Sequence, residues 1–174
     1  MTHRTLLAPL LALAPVALSS PALAAPLGPD AAACEANKPA ILATVVGLKD
    51  RSGIIKLELY PPTPEDFTRD DHDLIAEGKT FRRVTVSPPA AGAVSLCIRV
   101  PGPGRYALLM THNRDGQNKF RYTIDGAGLP GNKKIGMSKP KVGAAIVEVG
   151  AATLPLTIRA QYLGLLGFSL SSGN

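Results

Sequence analysis

The sequence contains no tryptophan, only four tyrosines and four phenylalanines, and just two cysteines. With so few aromatic side chains, and none interleaved with basic ones, the chain lacks the stacking surface that many nucleic-acid-binding proteins use. We therefore expect no nucleic-acid partner, although the formal net charge is +6. Beyond its first residues the chain also lacks an apolar run of the roughly 20 residues that a membrane-spanning helix needs. No transmembrane segment is expected in the mature chain.

Residues 1–24 have the pattern of a cleaved export signal. His3 and Arg4 give a short basic start, residues 6–18 form an apolar run with two prolines, and Ala22 and Ala24 match the small-x-small site of signal peptidase. The run is too short, and too interrupted by proline, for a membrane anchor. We expect cleavage after Ala24 and a periplasmic or secreted protein of one domain.

Cys34 and Cys97 form an even pair, which in an exported protein most simply indicates a disulfide. The bridge would tether residues 25–39 to the strand that carries Cys97. The three alanines before Cys34 faintly resemble a lipoprotein cleavage box, so lipid attachment at Cys34 is the alternative. A redox role needs a closely spaced, reactive pair, which these two cysteines are not.

The dominant hydrophobic period after Ala40 is two, which predicts β-strands rather than helices. The turn residues 50–53 (Asp-Arg-Ser-Gly) predict that the first two strands form a hairpin. The chain has no internal repeat and no sign of a second domain. We predict seven strands, at residues 41–48, 54–60, 81–87, 94–100, 105–112, 144–149 and 154–163.

Seven short strands separated by turn residues favour an all-β domain, a single antiparallel Greek-key sandwich of two sheets over residues 40–163. Tyr106 follows a Pro/Gly corner, as in the tyrosine corner of such sandwiches, where the hydroxyl bonds back to nearby backbone. Alternation along the fourth strand places Cys97 on the outer face of its sheet, with the N-terminal segment strapped across it. The tail, residues 164–174, is expected to add an edge strand or to lie on the core.

Residues 102–120, GPGRYALLMTHNRDGQNKF, carry a resemblance to a known family. From about residue 40 to residue 162 the chain resembles the exported bacterial proteins grouped as domain of unknown function 2141. The family pattern H-D-x-N-G-N-G-K falls on residues 112–119, where the His, the first Gly and the Lys match and the other positions are replaced. The resemblance implies an exported sandwich of the transthyretin-like or immunoglobulin-like type, and it implies no known activity.

Asn113, Asp115 and Gln117 alternate like the first ligands of a calcium loop, because hard cations prefer several oxygen ligands on a tight turn. Only one of the three is charged, Arg114 and Lys119 are close by, and no late bidentate acid follows. An Asx/Gly turn that closes the end of the sandwich is the simpler interpretation. We expect no cofactor, with Ca²⁺ at this loop as the competing hypothesis.

Asp70, Asp71, His72 and Asp73 form the densest polar cluster of the sequence. A divalent metal site or an acid/base pair is one interpretation, but consecutive side chains rarely converge, and Asp near a helix start is electrostatically favoured.

His112 ends a core-facing row and is predicted to be a structural histidine bonded to loop backbone. No nucleophile–base arrangement is indicated, so we assign no catalytic residue.

Lys133, Lys134, Lys139 and Lys141 lie in residues 113–143, a long Gly-rich stretch that predicts a loop. These lysines suit phosphate or acidic glycan, and the alternative is a loop kept soluble by charge.

Because rigid scaffolds carry function on their loops, we expect a non-enzymatic binding or structural module of the cell envelope. Its partner would be an unidentified envelope protein or glycan. The competing hypotheses are a carbohydrate-binding or hydrolytic domain that uses residues 70–73 with His112, and a calcium-binding sandwich module.

Overall fold

The computed structural model describes residues 25–117 and 119–170, so the predicted export signal lies outside the described residues. No helix in these two ranges is long and apolar enough to cross a membrane. The described chain folds into two facing sheets with two short α-helices. Its elements are α1 (Ala31–Glu35), β1 (Ala40–Val46), β2 (Ile54–Tyr60), α2 (Asp71–Ala76), β3 (Arg82–Val86), β4 (Val94–Arg99), β5 (Gly104–Asn113), β6 (Gly126–Gly128), β7 (Ile146–Val149), β8 (Leu154–Arg159), β9 (Gln161–Gly164) and β10 (Gly167–Leu170), with single 3₁₀ turns at Pro130–Asn132 and Val142–Ala144.

The smaller sheet has the order β4-β1-β8. β1 pairs with β4 in antiparallel fashion, so that Ala43 lies opposite Leu96, and it pairs with β8 in parallel, so that Ala43 lies opposite Leu156. The larger sheet has the order β10-β9-β6-β5-β2-β3. β6 and β7 share the edge of β5 that faces away from β2. β7 pairs with residues 104–107 of β5, and β6 pairs with residues 110–112.

The core lies between the two sheets. On β2, Ile55, Leu57 and Leu59 are completely buried, as the period of two in the sequence requires, and the facing β1 and β4 contribute alternate apolar residues to the same cluster. The predicted all-β sandwich is therefore confirmed, with ten strands rather than seven, and with one parallel pair of strands, in the part of the chain that the structure describes.

The predicted hairpin of the first two strands is wrong, because β1 lies in the smaller sheet and β2 in the larger one. The turn between them carries the chain across the sandwich. Gly53 in this turn has a φ of +69°, and a Cβ there would overlap the carbonyl oxygen of Asn113. Turn residues of this kind suit a crossover between sheets as well as a hairpin.

The strand predicted at residues 154–163 is divided at Ala160, because β8 belongs to the smaller sheet and β9 to the larger one. The loop predicted at residues 113–143 is also corrected, since it contains β6 in the interior of the larger sheet. Within the tail, residues 167–170 form β10, an edge strand paired with β9, which is one of the two alternatives expected for this segment.

Tyr106 forms the predicted tyrosine corner. Its hydroxyl donates a hydrogen bond to the carbonyl oxygen of Gly102 at 2.8 Å, and its ring is buried in the core between the sheets. The corner fixes the entry of the chain into β5, the strand around which the larger sheet is built.

The N-terminal segment is strapped to the outside of the smaller sheet, as predicted. A disulfide joins Cys34 of α1 to Cys97, which is completely buried on the outer side of β4, with a Cα–Cα distance of 6.0 Å. Asp30 accepts hydrogen bonds from the Arg82 guanidinium at 2.6 Å and from the Arg99 amide at 2.9 Å. Burial opposes ionisation of Asp30, but these hydrogen bonds hold its pKa below the usual range.

A candidate ligand-binding cavity

The larger sheet has a second buried face on the side away from the core. Alternation along β2 and β5 places four side chains on this outer face, and each is at most 9% exposed to solvent. They are Glu58, Tyr60, Leu109 and Thr111. The segments that follow β2 and β5 fold back over them, where Phe67 and Leu129 join a second apolar cluster. An antiparallel sheet commonly leaves one face to water, so a sheet that is covered on both faces makes its outer face a candidate functional surface.

A cavity of about 590 Å³ lies between this outer face and the loop that follows β5. Its volume is in the range of small-molecule sites. Its wall is mainly apolar. The residues that line it are Glu58, Tyr60, Leu109, Thr111, Ala127, Leu163 and Phe168 from the sheet and Thr68, Phe120, Tyr122, Ile135, Gly136, Met137, Ser138, Lys139 and Pro140 from the loops.

The floor of the cavity holds a carboxylate whose two oxygens are both bonded within the protein. Glu58 accepts a hydrogen bond from the Tyr60 hydroxyl at 3.1 Å and one from Arg83 Nε at 2.6 Å, and Arg83 also pairs with Asp71 at 2.9 Å. Burial, reinforced by the adjacent Glu58 charge, raises the pKa of Tyr60, which therefore stays protonated and donates. Phe67 and Phe81 pack edge-on against the Tyr60 ring and hold it in place.

The rim of the cavity is apolar on one side and basic on the other. Met137 and Tyr122 are 79% and 64% exposed, an unusual concentration of apolar surface. Lys139 lines the cavity and also an adjoining open groove, which Lys141 lines too. Lys133 and Lys134, the other two lysines singled out in the sequence, line neither of them.

The proposed calcium residues form a closed turn. Asp115 Oδ1 accepts from the Gln117 amide at 2.9 Å, Asn113 Nδ2 donates to the Gln117 carbonyl oxygen, and the Asp115 carboxylate is paired with Arg121. The hydrogen bond from the Gln117 amide holds the pKa of Asp115 below its usual range. Among the described residues there is no group of three His, Cys, Asp or Glu side chains that suits a metal ion.

The acidic cluster of residues 70–73 caps a helix. Asp70 is the N-cap of α2, and its carboxylate accepts from the His72 amide at 2.9 Å. Asp71 reaches Arg83, whereas Asp73 lies 3.9 Å from Arg69. The carboxylates therefore diverge toward different partners.

His112 lies on the other side of the larger sheet from this cluster. It is completely buried, with Nδ1 2.6 Å from the Tyr162 hydroxyl and Nε2 2.8 Å from the carbonyl oxygen of Ser52. Because the Ser52 carbonyl oxygen can only accept, Nε2 carries the proton of the neutral imidazole. Nδ1 then accepts from the Tyr162 hydroxyl, which itself accepts from the Lys49 amide at 3.0 Å. The structure thus bonds His112 to loop backbone, as predicted, and does not bring it to residues 70–73.

The cavity was not anticipated from the sequence. The signal was present in β2, where Tyr60 continues the outward row of Lys56 and Glu58, and in β5, where Leu109 occupies an outward position. Large apolar side chains on a face expected to meet water indicate that something covers that face. Phe120 and Tyr122, in an otherwise polar loop, are part of the cover.

Fold and cavity together define a β-sandwich that carries an apolar recess outside its larger sheet. The chain belongs to the bacterial family described as "Uncharacterized protein conserved in bacteria (DUF2141)", whose sequence model matches residues 43–156. The resemblance found in the sequence is thereby confirmed. No curated protein and no solved structure matches the chain.

Proposed function

We propose that this protein is a non-enzymatic binding module whose ligand is a small, largely apolar molecule held between the outer face of the larger sheet and the loop after β5. The observation that carries the proposal is the cavity of about 590 Å³ with its mainly apolar wall. Burial of apolar ligand surface in such a recess contributes roughly 25 cal/mol per Å².

The polar groups of the cavity support binding rather than hydrolysis or sugar recognition. A catalytic acid or base needs a proton to exchange, and Glu58 is instead bonded to both Arg83 and Tyr60. A carbohydrate presents many hydroxyl groups, each of which needs a partner when it is buried. The wall formed by side chains such as Leu109, Ala127 and Phe168 offers few.

We further propose that the protein acts in the periplasm or outside the cell. The leader pattern of residues 1–24 supports export, and the Cys34–Cys97 disulfide suits an oxidising compartment. Mass spectrometry of the protein recovered from a bacterium that expresses the full sequence is expected to give an N-terminus at Ala25. A chain that keeps residues 1–24 in the cytoplasm would contradict this location.

The binding proposal is tested with N-phenyl-1-naphthylamine, a neutral apolar dye that fluoresces when it leaves water. The protein produced from its full sequence is titrated with the dye and compared with the variant Ala127→Phe. Ala127 lies on the floor of the cavity and is 6% exposed, so a phenyl group there fills the recess. We expect saturable binding by the wild type and at least a tenfold weaker affinity in the variant, a change of about 1.4 kcal/mol.

Ala151→Phe is the matched control, since Ala151 is exposed in the turn between β7 and β8, away from the cavity. It adds the same ring to the protein and should leave dye binding unchanged. Both variants are first melted to show that they fold. Absence of dye binding by the wild type, or equal binding by Ala127→Phe, would refute the proposal.

A further inference from the structure

We infer that the cavity takes a single-chain anionic amphiphile of the fatty-acid type, with its apolar chain against the sheet and its carboxylate at Lys139 and Lys141. This inference rests on the proposed function and specifies its ligand. It follows from how charge is distributed along the recess.

The cavity has a basic exit. The cavity and the adjoining groove share Thr68, Lys139 and Pro140, so the two meet at these residues. Lys139 is exposed at this junction, and Lys141 lies just beyond it in the groove. A ligand that leaves the apolar wall at this point meets two ammonium groups and the Thr68 hydroxyl.

The two lysines are unpaired among the residues that the structure describes, whereas the other cation of the groove is not. Arg69 is bonded to Glu77 and lies 3.5 Å from Asp66. Glu65 is the carboxylate that lines the groove, and it does not line the cavity. Lys139 and Lys141 therefore leave a net positive charge at the exit, available to an anion.

The floor fixes the orientation of the ligand. Glu58, which is 7% exposed, has both carboxylate oxygens engaged by Tyr60 and Arg83. An acidic group buried beside this carboxylate would meet a like charge in a poorly solvated place. An acid can therefore be accommodated only with its chain inward and its head at the lysines, where it also keeps part of its hydration.

The test compares dodecanoate with dodecan-1-ol, which share the chain and differ in the head group. Each compound is used to displace N-phenyl-1-naphthylamine from the protein produced from its full sequence, at neutral pH and low salt. We expect the wild type to bind dodecanoate about tenfold more tightly than the alcohol. The preference should shrink in about 1 M salt, where the Debye length is near 3 Å.

The double variant Lys139→Gln/Lys141→Gln is expected to lose the preference for the acid while its affinity for the alcohol stays unchanged. Lys133→Gln/Lys134→Gln removes the same charge from lysines that line neither the cavity nor the groove, and it should keep the preference. All four side chains are exposed, so both variants should fold.

The outcomes separate the two proposals. If the dye binds and Ala127→Phe abolishes its binding, but acid and alcohol displace it equally, the head-group assignment is wrong and the binding function stands. The same conclusion follows if Lys139→Gln/Lys141→Gln retains the preference for the acid. If the dye does not bind at all, the proposed function fails and this inference fails with it.

Discussion

His112 shows how a single buried polar residue ties three parts of the chain together. It is completely buried at the end of β5, yet both ring nitrogens have partners, one on β9 and one in the turn before β2. Burial raises the pKa of Tyr162 to about 12, so this hydroxyl remains a donor to the imidazole over the whole physiological range. The network stays complete only while the imidazole is neutral, because a proton on Nδ1 would face the proton of the hydroxyl.

Stability is therefore expected to fall when the solution is made mildly acidic. Burial, only partly offset by the Ser52 hydrogen bond and by Asp50, lowers the pKa of His112 below its usual 6.5. The unfolded chain then takes up a proton below about pH 6.5 that the folded chain does not, so the free energy of unfolding decreases by up to about 1.4 kcal/mol per pH unit until the folded pKa is reached. Urea unfolding at half-unit steps from pH 7.5 to pH 5 measures the slope.

The variant His112→Gln should be less stable at pH 7.5 but should have no slope in this window. His72→Gln is the matched control, because His72 is exposed on α2 and its variant should retain the wild-type slope. The carboxylates with lowered pKa values, Asp30, Asp50, Asp66, Asp71, Glu77 and Asp115, also contribute stability that is lost as the pH falls, but mainly below about pH 5, outside this window. A wild-type free energy of unfolding that is flat between pH 7.5 and pH 5 would contradict the assignment.

Among the elements, β6 departs most from what a sequence pattern can indicate. Gly126, Ala127 and Gly128 contain no β-branched or aromatic residue, yet they pair with both β5 and β9 inside the larger sheet. The glycines are there because neighbours approach closely. A Cβ on Gly126 would lie 2.5 Å from the Tyr162 ring, and one on Gly128 would lie 2.8 Å from the carbonyl oxygen of Arg159.

Gly128→Ala is accordingly expected to destabilise the protein by about 1–3 kcal/mol, the usual cost of overpacking a dense interior. The added Cβ would meet the Ile158 side chain at 2.5 Å and the Met110 methyl group at 2.8 Å, and only the flexible Met110 side chain can move aside readily, so the contact with the Arg159 backbone remains. Chemical unfolding of the variant beside Gly150→Ala measures the effect. Gly150 has open space around its Cβ position, so its variant should stay within about 0.5 kcal/mol of the wild type.

The strands with a clear period of two could be predicted from sequence, and their partners could not. In β2 and β4 the alternation alone identified which residues face the core. The hairpin prediction at residues 50–53 was wrong because turn residues indicate that the chain reverses direction but not which sheet the next strand joins. The cavity escaped prediction for a related reason, since it depends on the packing of residues 120–140 onto a face that local alternation assigns to solvent.

At the scale of the whole molecule, both sheets are covered on the outside as well as packed together. The loop after β5 covers the larger sheet and forms the cavity, while α1 and the residues around it cover the smaller sheet. The two covers are held differently. The loop over the cavity joins the sheet through β6 and through a backbone pairing of Gly136 with Phe168, whereas the N-terminal cover has a covalent link.

Loss of the disulfide should therefore destabilise the sandwich and loosen its N-terminal cover without opening the cavity. The bridge joins residues 63 positions apart, and the chain-entropy argument gives it about 4 kcal/mol of stabilisation. In Cys34→Ala/Cys97→Ala we expect a decrease of that order in the free energy of unfolding, measured in urea. Limited digestion with a glutamate-specific protease should cut after Glu35 more rapidly in this variant than in the oxidised wild type. Without the bridge, only non-covalent contacts hold the segment, chiefly those of Asp30 and the Leu27 backbone pairing before Glu35 and those of Asn37 and Lys38 with Thr153 after it. Dye binding at the cavity, on the opposite side of the molecule, should be the same for both proteins at a temperature where both are folded. Rapid cleavage of the oxidised wild type at Glu35, or equal stability of the two proteins, would show that attachment of the N-terminal cover does not depend on the disulfide.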